Sequence, residues 1–104
     1  MMLLSERRKT LYARVVHFQL KPETLDQGVS ALRERVLPDL EQEAGYRSSQ
    51  LLVEGETGQV LVISLYDTEE GARLRDELGF RRRMGMLAGF LTDRPRPSFY
   101  KVVD

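Results

Sequence analysis

The chain lacks cysteine, tryptophan and asparagine altogether, and it has one histidine among its 104 residues. Without cysteine there are no disulfides, no thiolate nucleophile and no iron–sulfur ligation, a usage that fits the reducing cytoplasm. One histidine and no cysteine leave a structural zinc site without its usual donors, so no metal is expected. Net charge is missing too. Sixteen Lys and Arg residues balance sixteen Asp and Glu residues, which leaves no overall field to draw in nucleic acid or a membrane surface. No window approaches the roughly 20 apolar residues of a membrane span. Met1 to Leu4 is too short for the apolar core of a signal peptide, and the basic cluster Arg7-Arg8-Lys9 follows it instead of preceding it.

What is present is an ordinary globular composition, 41% hydrophobic and 31% charged, of a length that makes one domain with a modest core. Residues 1–10 read as a flexible N-terminal tail and residues 11–104 as the folded domain. Residues 12–20 read as a strand whose side chains alternate between two faces. Val16, Phe18 and Leu20 form an apolar stripe, with Arg14 at its start. Ala13, Val15, His17 and Gln19 form a mixed one.

Lys21-Pro22 closes that strand, because the residue before proline avoids helical angles. Thr24, with Gln27 three positions on, has capping-box spacing. Leu25, Val29, Leu32, Val36 and Leu40 then mark the apolar face of a helix. Pro38 lies inside this pattern and predicts a kink or break near residues 34–37; Gly45 is the expected stop. Residues 46–53 and 59–66 are two strands joined by the turn Gly55-Glu56-Thr57-Gly58. The later strand has an apolar stripe of Leu61, Ile63 and Leu65 and a mixed one of Val60, Val62, Ser64 and Tyr66.

Asp67, with Glu70 three positions on, is the expected cap of a second helix. Ala72, Leu74 and Leu78 carry that helix to Gly79, where a bend or division is expected. Phe80, Met84, Leu87 and Leu91 continue at helical spacing. Asp93-Arg94-Pro95-Arg96-Pro97 leads into a last strand over residues 98–103. The order βαββαβ predicts an α+β, ferredoxin-like fold: a four-stranded antiparallel sheet with both helices on one side. Strands with apolar residues on both faces would leave a large oily patch on the bare face. A homodimer through that open face is therefore expected.

The stretch Tyr12-Ala13-Arg14-Val15-Val16-His17-Phe18-Gln19-Leu20-Lys21-Pro22-Glu23 resembles the antibiotic biosynthesis monooxygenase-like family of dimeric α/β barrels. So do Val36-Leu37-Pro38 and Val62-Ile63-Ser64-Leu65-Tyr66-Asp67-Thr68-Glu69. The resemblance spans roughly residues 12 to 103. It implies a dimeric α/β barrel and points towards cofactor-independent oxygenation of a small aromatic or quinol-like compound. On this likeness Tyr66 falls where oxygenase members place a tryptophan, and Val15 where they place an asparagine. The haem-degrading branch looks for a histidine where this chain has Phe80-Arg81-Arg82-Arg83-Met84, so no cofactor is implied.

His17, Gln19, Ser64 and Tyr66 are expected to converge on one face of neighbouring strands, a small polar set in apolar surroundings. There His17 is the candidate catalytic base and Tyr66 the group that orients or protonates a substrate anion. The plainer alternative makes His17 a hydrogen-bonded sheet residue and Tyr66 a packing residue. Val15, Gln19, Ser64, Phe80, Met84 and Leu87 are the candidate substrate-binding residues, the last three being equally at home in an ordinary core. Arg14 suits either an anionic ligand or a salt bridge to a nearby acid. Arg81, Arg82 and Arg83 point in three directions on a helix and read as a solvated face, not a nucleic-acid patch. Gly85 and Gly89, four apart, would permit close approach of helix to sheet. The alternative to an oxygenase is a non-catalytic homodimeric module that binds a hydrophobic or aromatic small molecule.

Overall fold

The computed structural model describes residues 10–73 and 76–103. The expected tail over residues 1–10 falls almost wholly outside the described residues, and so does Leu74. Strand β1 (Tyr12–Gln19) lies at the centre of the sheet, flanked by β3 (Gln59–Tyr66) and β4 (Arg96–Lys101), with β2 (Tyr46–Glu54) outside β3. All three pairings are antiparallel. This order and the helices on one side make the ferredoxin-like fold expected from the βαββαβ pattern.

Between β1 and β2 the chain forms a 3-10 turn (Pro22–Thr24) and then helix α1 (Leu25–Ala31), a π-helical turn (Leu32–Val36) and α2 (Leu37–Leu40). The disturbance expected from Pro38 is real, and it takes the form of a π turn. Proline offers no N–H, and the preceding Leu37 N–H reaches five residues back to Leu32 O. The expected Thr24 capping box does not form: Thr24 makes no side-chain cap, and its hydroxyl is buried without a partner among the described residues. The helical stretch ends at Leu40, ahead of Gly45. Gly45 instead turns the chain into β2 with φ +79°, a left-handed value that suits glycine.

The second helical region departs from expectation at four points. Thr68, not Asp67, caps the short helix α3 (Glu69–Ala72), its Oγ1 accepting from Gly71 N–H. The division precedes Gly79, because Asp76 caps a new helix, α4 (Glu77–Leu87), and accepts from Gly79 N–H. Leu78, placed in the apolar pattern, is 74% exposed in that first turn. A Cβ on Gly85 or Gly89 would meet nothing within 4 Å, so neither glycine serves a close approach.

The core lies between sheet and helices and is built on Val16, Phe18, Leu20, Leu32, Val36, Leu40, Val60, Val62 and Leu87. Among the described residues no layer covers the other side of the sheet. There Val15, Leu61, Ile63 and Leu65 are half-buried, and Leu52 is 46% exposed. No helix among the described residues is long and apolar enough to cross a membrane.

Candidate functional site

Register assigns every strand residue to a face. Tyr12 pairs with Tyr66, Arg14 with Ser64, Val16 with Val62 and Phe18 with Val60, and these side chains point to the helices. His17 pairs with Leu61, Val15 with Ile63 and Gln19 with Gln59, and these belong to the open side. The expected convergence of His17 and Gln19 with Ser64 and Tyr66 is therefore overturned. The sheet itself separates the two pairs, because the strand period of two admits no exchange of faces without a register slip. The stripe read as mixed on β3 is the buried one, and the purely apolar stripe faces outward.

On the helix side the sequence builds a polar cluster at the edge of an apolar core. Arg14, 2% exposed, donates through Nε to Ala72 O at 2.7 Å and through Nη2 to Gly71 O at 3.1 Å. Its two Nη atoms reach Glu43 at 3.1 and 3.4 Å, a bidentate pairing. The guanidinium also lies 4.7 Å from the centroid of the Tyr66 ring. Of the two readings of Arg14, the ion pair is the one that forms.

Tyr66 is fully buried and its hydroxyl donates to Glu43 Oε1 at 2.5 Å. Burial, then the bond to Glu43, push its pKa far above that of an ordinary phenol, against an opposing pull from Arg14. It is a phenol and not a phenolate at any physiological pH. Arg83, 3% exposed, bridges Asp39 at 3.0 Å and Glu43 at 3.5 Å. Its burial corrects the expected solvated arginine face, which holds for Arg81 and Arg82 alone. Arg82 joins the network from outside, 3.0 Å from Asp39. Burial raises the pKa of Asp39, but hydrogen bonds and charge from Arg82 and Arg83 outweigh it and leave the net shift downward. Ser64 shares a 2.8 Å hydrogen bond with Ser49, whose Oγ also accepts from Tyr46 at 2.9 Å.

Beside this network a cavity of about 20 Å³, room for about one water, is enclosed by Val16, Phe18, Val36, Leu40, Val62 and Ser64 together with Arg14, Arg83, Phe80 and Met84. Its surface is almost wholly apolar, because the charged heads of both arginines turn to carboxylates. Phe80, Met84 and Ser64 thus meet at one cavity, while Leu87 lies deeper in the core with no exposure.

Across the sheet, an open cleft of about 460 Å³ is lined by His17, Gln19, Leu52, Gln59, Leu61, Arg94 and Arg96. Leu52, Leu61, His17 and Arg96 make one row across all four strands. The Gln19 amide is committed to the hairpin, donating to Thr57 O at 2.6 Å. Val15 sits one row away, paired with Ile63 and Ser98.

Asp39 and Glu43 escaped the reading of the sequence. Their signal was available: a charged residue on the buried stripe of β1 requires a counter-charge, and two acids four apart at the end of a helical run can stand on one side of it.

No family model matches the sequence, nor does any curated protein. Solved structures do match in fold. A monooxygenase of Streptomyces coelicolor, crystallised with nanaomycin D, superposes with a TM-score of 0.71 at 17% identity, covering 89% of this chain and 88% of that one. A Bordetella bronchiseptica protein named for the antibiotic biosynthesis monooxygenases gives 0.75 at 11% identity, over 91% of this chain and 99% of that one. A Nitrosomonas europaea protein of similar name gives 0.72 at 13% identity, over 92% and 93%. The superpositions run over nearly the whole of each chain: this chain has the fold of the antibiotic biosynthesis monooxygenase-like proteins.

Proposed function

We propose that this chain is a cofactor-independent oxygenase of a small aromatic or quinol-like compound, held between the helices and the sheet. The observation that carries the reading is the apolar cavity beside the Arg14–Glu43–Tyr66–Arg83 network, on a fold shared with a monooxygenase that was crystallised with nanaomycin D. In such a reaction a phenol takes one oxygen atom of O2 at a ring carbon and becomes a quinone, and the other oxygen leaves as water. The electrons come from the substrate. What the protein must supply is a dry site and a positive potential that favours the substrate anion. The cluster supplies that potential as a whole, three guanidiniums of Arg14, Arg82 and Arg83 against the two carboxylates of Asp39 and Glu43, and the Ser64 hydroxyl is the polar group on the sheet wall. Tyr66 acts as a positioning residue, since its hydroxyl is bound to Glu43 and its ring backs Arg14.

His17 enters only through the open-face cleft. Oxygen uptake with anthrone and with 1,4-dihydroxynaphthalene tests the assignment. Acceleration over autoxidation that survives His17→Ala and falls at least tenfold in Arg83→Met is the expected result. Uptake lost in His17→Ala and retained in Arg83→Met would move the chemistry to the open face.

A second reading has its own support. The ionisable residues lining the interior cavity are Arg14 and Arg83, and both are already held in ion pairs with carboxylates. A non-catalytic module that binds an aromatic molecule needs nothing more. Saturable binding of 1,4-dihydroxynaphthalene without accelerated oxygen uptake would favour it. In both readings the working unit is a homodimer, because a second copy covers the half-exposed Leu52, Leu61, Ile63 and Leu65 on the open face.

A further inference from the structure

A second concavity lies directly outside the interior cavity. It is a groove of about 420 Å³, predominantly apolar, between α4 and the segment that leads to β4. Leu91 and Pro95 form its floor on one side and Phe80 and Met84 on the other. Phe80 and Met84 also line the interior cavity. The same two side chains therefore have one surface towards the closed space and another towards the open one.

Neither space encloses a ligand alone. The interior holds about one water, and the groove has solvent along one side. The groove alone has the several hundred Å³ typical of small-molecule sites, and movement of Phe80 and Met84 would extend it into the dry interior. Both partition residues are only half-buried. Methionine is unbranched and adapts its shape readily. The helix that carries them is loosened at the adjacent position: a Cβ on Gly85 would meet nothing within 4 Å, so packing does not require glycine there. Glycine in a helix interior nevertheless weakens the helix relative to alanine.

We propose that the interior cavity and the outer groove are two halves of one site for a planar aromatic that carries an acidic group, with Phe80 and Met84 as the movable partition. The charge at the outer half selects the ligand class: Arg81 and Arg94 line the groove against one carboxylate, Asp93. An aromatic ring displaces the partition and lies against Val16, Phe18 and Val62, while its acid group stays near the two guanidiniums. The inference rests on the reading of the helix–sheet cavity as the ligand site.

The test uses 1-hydroxy-2-naphthoate as a fluorescent probe in stopped flow, with circular dichroism to establish that each variant folds. Phe80→Ala should raise the association rate at least fivefold. Gly85→Ala should raise the melting temperature and lower the association rate at least twofold. Val36→Phe, which fills the interior half, should weaken equilibrium binding at least tenfold. Association rates unchanged in both Phe80→Ala and Gly85→Ala, with binding still lost in Val36→Phe, would overturn the partition and leave the cavity reading intact. Undiminished binding in Val36→Phe would overturn the cavity reading itself. Binding absent from the native chain and every variant would overturn the proposed ligand class.

Discussion

The Tyr66 hydroxyl donates to a Glu43 oxygen that also accepts from Arg14, so a phenol and a guanidinium on neighbouring strands share one acceptor, on a carboxylate that follows α2, at 2.5 and 3.1 Å. This joins β1, β3 and the end of the first helical stretch at a single atom. Replacing Glu43 by Gln leaves Arg14 buried beside a neutral amide, and loss of one partner of a buried pair costs about 3–5 kcal/mol. Tyr66→Phe removes one hydrogen bond to a charged group, about 1.5–3 kcal/mol. Urea unfolding is expected to rank Glu43→Gln below Tyr66→Phe, and Tyr66→Phe below the native chain. The reverse order of the two variants would contradict the shared-acceptor arrangement.

Folding raises the pKa of Tyr66, first by burial and then through Glu43. A group raised in the folded state contributes stability that is fully present below its unfolded pKa, about 10, and lost as pH rises above it. The native chain should lose stability progressively above pH about 10, and Tyr66→Phe should lose less of it over the same range. Melting temperatures at intervals across the alkaline limb check this. Parallel losses in both proteins would remove Tyr66 from the account.

The acid limb has the opposite sign. Asp39 has a lowered folded pKa because Arg82 and Arg83 outweigh its burial. Its stabilising contribution is present above the unfolded carboxylate pKa of about 3.9 and disappears as pH falls through the folded value. Arg82 is exposed, whereas Arg83 is buried. Raised salt should therefore weaken the Arg82 part more than the Arg83 part. In Asp39→Asn the drop in stability between pH 5 and pH 2 should be shallower than in the native chain, as read by chemical denaturation. An unchanged slope would mean that other carboxylates carry the acid transition.

The open sheet face supplies a direct test of association. Leu61 stands in the middle of the row Leu52, Leu61, His17 and Arg96. A charge at that position would be buried by a second copy at a cost of several kcal/mol, yet it would be tolerated on a wet surface. Leu61→Glu should sediment as a monomer under conditions in which the native chain sediments as a dimer. Gln27→Glu, on an exposed residue of α1 across the sheet from that face, should leave the mass unchanged. A native chain that remains monomeric at high protein concentration would remove the dimer from the proposal.

Local pattern and global register were legible to different degrees. The two-residue alternation of Val16, Phe18 and Leu20 and the disturbance ahead of Pro38 follow from chemistry within a few residues. The caps were less legible: Asp67 and Thr68 are both competent, and Thr68 forms the cap because its backbone is extended while its Oγ1 reaches Gly71 N–H.

The amino-acid sequence by itself determined the number and order of the strands, the break in the first helical stretch and the excess of apolar strand surface over what one helical layer can cover. These depend on periodicity and on neighbours close along the chain. Tertiary structure alone decided which stripe of each strand meets the helices. It pairs Arg14 with Ser64 and His17 with Leu61, and so places Tyr66 and His17 on opposite sides. It also brought Arg14 to Glu43 and Arg83 to Asp39, across 29 and 44 positions of the chain. Alternation along a strand states that two faces differ. Which of them is buried depends on the energy of packing distant elements, and there the cost of an unpaired buried guanidinium chose the face that carries the acids.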